Sequence, residues 1–176
     1  GAVAWATPAE GQDRTCPTGC TCESRGECQW AAMCGKKAKG LTLEFDDDTD
    51  CVTFYSKAMF AELTTAQKQE MLASLPSGLR SLDLQFAGLG YDDGGLPACA
   101  FGRFAELRFL NLEYNMLTAL PSDAFHGATK LRTLWLTGNH YNPEEKDYKL
   151  AVMMKNELTT LHADQFKGLT KLRVLL

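Results

Sequence analysis

The 176-residue chain lacks any apolar run long enough to span a bilayer, which takes about 20 residues. Only three histidines occur, His126, His140 and His162. They fall in different parts of the chain, without the helical H-E-x-x-H spacing of a zinc protease and without a serine or cysteine elbow. A glycine-rich phosphate loop is missing as well, since Gly88-Leu89-Gly90 is too short to form one. Net charge is −4, too small to point to nucleic acid or an anionic membrane. These shortages argue against an enzyme, and no cofactor or metal is expected.

What is present in excess is cysteine, in one place. Cys16, Cys20, Cys22, Cys28, Cys34 and Cys51 cluster, while Cys99 stands far down the chain. Such clustering points to a disulfide-stapled cap and so to an oxidising, extracellular setting. A zinc site is the rival, but Cys20-x-Cys22 is too tight for a usual knuckle. The odd count leaves one thiol over, with Cys99 the natural candidate. Residues 16–34 hold too few aliphatics to fold unaided, so cross-links must replace a core. At the start, Ala4-Trp5-Ala6 fits the tail of a cleaved signal peptide or a cloning remnant.

Two alternating segments, Leu41–Phe45 and Cys51–Tyr55, flank a polar turn and are expected to form a β-hairpin. The acids of that turn, Asp46, Asp47, Asp48 and Asp50, resemble a calcium loop. Glycine is missing at its sixth position, however, and Lys57 stands at its twelfth, so a solvated turn is expected. The period then becomes helical. Thr64 and Gln67 form a capping-box pair, and the helix should run to about Ser74, ended by Pro76 and Gly78.

From Leu79 onward the chain repeats. Leu107, Leu110, Leu112, Asn115 and Leu117 trace L-x-x-L-x-L-x-x-N-x-L, the leucine-rich-repeat pattern. The unit closes with Leu120-Pro121, Phe125 and Ala128, and the next opens 24 residues on at Leu131. The unit before it, Leu79 to Leu107, has 28 residues, with the extra four in the Gly90–Gly95 loop. Leu131 to Leu172 spans 41 residues, so 17 are inserted near the end of the third strand. The expected organisation is a cap with hairpin and helix over 16–78, then repeats at 79–106, 107–130, 131–171 and a partial unit at 172–176. The fold class is α/β, a solenoid with a parallel sheet on its concave face and a disulfide-stapled N-terminal cap.

Alternation places the strand leucines inside and the residues between them in solvent. Asn115 and Asn139 should be buried, bonding backbone where the chain leaves the strand. The outward positions are Ser81, Asp83, Gln85 and Phe86, then Phe109, Asn111, Glu113 and Tyr114, then Thr133, Trp135 and Thr137, then Val174. Phe86, Phe109, Tyr114 and Trp135 are aromatics the core does not require, and exposed aromatics beside acids and amides mark binding surfaces. The insertion, carrying Tyr141 and Tyr148, is expected to act as a ligand-contacting flap, although Met153 and Met154 could instead pack back on the repeats. Arg80, Arg108, Arg132 and Arg173 recur in one column and are taken as a solvated edge. Leu172, Val174 and Leu176 form a bare last strand that invites a second copy.

The cap opening Cys16-Pro-x-x-Cys20-x-Cys22, followed by 24-residue repeats ending in Leu-Pro-x-x-x-Phe, resembles extracellular leucine-rich-repeat proteins. The nearest resemblance is to the variable lymphocyte receptors of jawless vertebrates and related VLR-like chordate proteins. Toll-like receptor and Slit-type ectodomains share the modules. The resemblance implies the pairs Cys16–Cys22 and either Cys20–Cys28 or Cys20–Cys34, with Cys34–Cys51 a further expectation. It implies a secreted or cell-surface immune-type module binding protein or glycan on its concave face. The alternative is an adhesive protein that self-associates through its C-terminal edge. The cap here is larger than is usual in that family, and a C-terminal cysteine cap is missing from the sequence given.

Overall fold

The computed structural model describes residues 20–25, 28–34, 51–54, 63–90, 95–137 and 153–176. Its frame is one seven-stranded sheet in chain order: β1 (Cys20–Arg25), β2 (Cys28–Cys34), β3 (Cys51–Phe54), β4 (Ser81–Asp83), β5 (Phe109–Asn111), β6 (Thr133–Trp135) and β7 (Val174–Leu175). β1 and β2 are antiparallel, and their register sets Cys20 opposite Cys34. Every pairing from β2 to β7 is parallel. Parallel neighbours need a crossover, so each strand is followed by a return segment that brings the chain back to start the next.

The register repeats. Leu82, Leu110, Leu134 and Leu175 stand side by side across β4 to β7. Leu79, Leu107 and Leu131 form a fully buried row before the strands, and Leu84 and Leu112 another behind them, continued by Leu136. On the return side Phe101, Phe125 and Phe166 stack with centroids 5.8 and 6.1 Å apart and nearly parallel rings. A three-residue strand cannot bury apolar surface alone, so stability comes from these rows between turns. Burying a leucine or phenylalanine contributes about 1.5–3 kcal/mol.

The parallel stack begins earlier than Leu79. Val52 pairs with Leu82 and is fully buried, so β3 already belongs to the parallel stack. Both edges of β3 are held by parallel partners, β2 and β4. The expected hairpin between 41–45 and 51–55 is therefore corrected, because β3 has no edge left for an antiparallel neighbour. Alternation had identified a strand at 51 but carried no information about its partner. Residues 41–45 themselves lie outside the described residues.

Between β3 and β4 comes a helix, α1 (Thr65–Ser74). It starts where the sequence places it: Thr64 Oγ1 accepts from the Gln67 backbone N–H, and Gln67 Oε1 accepts from the Thr64 N–H at 2.9 Å. Its inner face is Lys68, Met71 and Leu72. Lys68 is fully buried and donates from Nζ to the carbonyls of Leu89 at 2.7 Å and Gly95 at 3.4 Å. It thus clamps the two ends of the enlarged Gly90–Gly95 loop. Among the described residues no helix is long and apolar enough to cross a membrane.

Candidate binding surface

Three columns of side chains line the outer face of the sheet. The first is Ser81, Phe109, Thr133 and Val174, the second Asp83, Asn111 and Trp135. The third, just past the strands, is Gln85, Glu113 and Thr137. Phe109 and Trp135 are half-buried and meet edge to face, with centroids 5.1 Å apart at 80°. Gln85 Nε2 donates to Glu113 Oε2 at 3.4 Å and Thr137 Oγ1 donates to Glu113 Oε1 at 3.0 Å, so the carboxylate ties three turns together.

Asp83 is the electrostatic centre of this face. Burial pushes its carboxyl up to about 6, and the charge of Glu113 adds to the rise. The backbone N–H of Gln85, donating to Oδ1 at 3.0 Å, and the side chain of Asn111 pull the other way without compensating. The indole N–H of Trp135 is buried and has no acceptor among the described residues. A buried donor without a partner costs about 1–3 kcal/mol.

Four expected contact residues turn out to be covered. Asn111 is 3% exposed and Glu113 2%, since both bond within the face. Phe86 is 7% exposed and Tyr114 is fully buried. Strand alternation does not reach these two. The strands end at Asp83 and Asn111, and Phe86 and Tyr114 take left-handed φ values of 59° and 55°, which swings each ring out of the strand pattern. The rings stack at 4.6 Å and pack with Met154, while Met116 N–H donates to the Met154 carbonyl at 2.9 Å. The chain returning from the insertion thus seals this column, and Met154 packs back on the repeats. Met153 beside it is 72% exposed. Tyr141 and Tyr148 lie outside the described residues.

The return also supplies the structural asparagine of the third turn. Asn115 accepts from Leu89 N–H and donates to the Leu84 and Glu113 carbonyls. Its counterpart is Asn156, which accepts from the N–H groups of Asn115 and Leu117 at 3.0 Å and donates to the carbonyls of Leu112 and Leu136. Asn139, expected in that role, lies outside the described residues. Both asparagines are followed by x-aliphatic or x-aromatic pairs, so the local motif did not distinguish them.

A second feature lies on the return side. A cleft of about 310 Å³ opens between α1 and the segment 97–103, lined by Gln69, Leu72, Cys99, Arg103 and His126 among others. Among the described residues, Cys99 is a free thiol. Its hydrogen bond from Sγ to Asp123 Oδ2, 3.3 Å long, raises the thiol above its ordinary range, while the bonds from Cys99 lower Asp123. Cys51 is disulfide-bonded, and the side chains of the other five cap cysteines lie outside the described residues. Among the described residues no three metal-binding side chains come together.

Short parallel strands in register, an asparagine ladder behind them and a stacked phenylalanine row on the return define the class: a leucine-rich-repeat fold. Residues 77–140 match the family model described as Leucine rich repeat, so this part of the chain carries leucine-rich repeats. No curated protein matches the chain.

Proposed function

We propose that this chain is an extracellular recognition module that binds a protein partner on the outer face of its sheet. The observation that carries the reading is the Phe109–Trp135 pair: two half-buried aromatics, touching, on a face whose neighbours are carboxylate, amide and hydroxyl. Rigid aromatics among adaptable polar groups supply much contact area for little lost freedom. Leucine-rich repeats commonly serve as protein-binding scaffolds, which fits. Secretion or display at the cell surface, and kinship with VLR-like immune receptors that take protein or glycan, rest on the cysteine pattern of the cap. On this reading the cap's remaining cysteines are paired as well.

The test is a screen against extracellular proteins and glycans, with each hit re-measured on Phe109→Ala and Trp135→Ala. Each substitution should weaken a genuine hit by tenfold or more while leaving the fold intact by circular dichroism. Hits that survive both would place binding elsewhere.

A second reading is favoured by one observation. Val174 and Leu175 on the last strand and Leu176 after it are 39–47% exposed, and Leu161 is 55% exposed. Leu172 is partly buried against the core, whereas Val174 and Leu176 are open. Such an edge suits a second copy or further repeats. A concentration-dependent dimer in sedimentation, dissolved by Val174→Lys, would support self-association. A monomer at every concentration would remove it.

A further inference from the structure

We propose that the outer sheet face takes an arginine side chain of its partner protein, with the stem over Phe109 and Trp135 and the guanidinium at Asp83. The proposal rests on the reading of this face as a binding surface and adds the chemistry of what it binds.

Charge complementarity comes first. None of the outward strand positions on β4 to β6 is basic, one, Asp83, is acidic, and Glu113 follows just past β5. Glu113 is committed to Gln85 and Thr137. Asp83 is engaged on one side by the Gln85 N–H and by Asn111, yet these do not offset the burial of its charge. A half-buried carboxylate on the same face as two touching aromatic rings suits a cation from outside.

Geometry selects arginine. Phe109 stands on the neighbouring strand, one pair from Asp83, since Ser81 is its direct partner. Such diagonal neighbours lie about 7–8 Å apart. That is the reach of an arginine whose methylene stem and flat guanidinium cover a ring while the far edge forks onto a carboxylate. A compact ammonium satisfies the carboxylate but not the ring stacking. The Trp135 indole N–H, buried and without an acceptor among the described residues, reports on packing around the ring.

The experiment uses the full chain and four capped tripeptides, Gly-X-Gly with X as Arg, Lys, Leu or Glu. Binding is read from the indole N–H resonance of Trp135, assigned by its loss in Trp135→Phe. The arginine peptide should shift that resonance saturably, with the lysine peptide at least threefold weaker and the leucine and glutamate peptides without effect. Asp83→Asn should weaken the arginine peptide tenfold or more, without altering the spectrum of the free protein elsewhere. Equal shifts from the leucine or glutamate peptide would overturn the cation proposal and leave the face a binding surface. No shift from any peptide would overturn the proposal and count against that face together. Arginine binding unchanged in Asp83→Asn would overturn the assigned role of the carboxylate.

Discussion

Asp83 costs this protein stability at neutral pH. Its carboxyl titrates at about 6 in the fold, against 3.8 as its ordinary value, with burial the main cause. A carboxyl raised in the folded state favours folding while it is protonated, and the benefit is lost as pH rises through about 6. Asp83→Asn keeps the oxygen that accepts from Gln85 and removes the charge. It should stabilise by about 2–3 kcal/mol at pH 7.5 and change little near pH 4. Urea titrations at the two pH values measure this directly, and equal effects at both would contradict it. At Cys99 the sign also follows from a neighbour. The hydrogen bond to Asp123 raises the thiol, so its alkylation at pH 8 should be slower than that of an unperturbed thiol, and Asp123→Asn should speed it. These residue-level features were only partly legible. The sequence reading placed Asp83 and Trp135 on the outer face, but Phe86 and Tyr114 left it, because a left-handed φ after the strand is not encoded by alternation.

At the level of elements, the insertion and α1 carry the local surprises. Asn156 makes four hydrogen bonds that hold the third turn to the second. Asn156→Ala should lower stability by about 2–4 kcal/mol, several unmade part-buried bonds at about 0.5–1 kcal/mol each. Chemical denaturation measures this, and a loss below about 0.5 kcal/mol, as for an ordinary surface substitution, would contradict it. The capping box of α1 is worth about 1 kcal/mol, so Thr64→Ala should show a loss of that size. That helix was readable because its start is a local pattern of two side chains. The partner of β3 was not readable, since pairing depends on residues 30 positions away and nothing within 51–54 records which edge is occupied.

At the scale of the molecule, the repeat unit 107–130 explains the core. Its leucine and phenylalanine rows continue into the neighbouring turns and account for most of the buried side chains. That much was visible in the 24-residue period, because each apolar position has a counterpart one turn away. What the period could not show is how the irregular pieces fit the regular ones. Lys68 bolts the enlarged loop of the first long unit to α1. Met154 packs over Phe86 and Tyr114, which among the described residues leaves Phe109 and Trp135 as the aromatics on the outer face. Among the described residues, the proposed surface is centred on β4 to β6.

The measurement that tests this account most directly is the affinity of the chain for a partner found by screening, before and after the double substitution Phe109→Ala/Trp135→Ala. The return-side substitution Lys130→Ala serves as control. The account predicts a loss of a hundredfold or more in the double variant and none in the control. An affinity unchanged by the double substitution would contradict it.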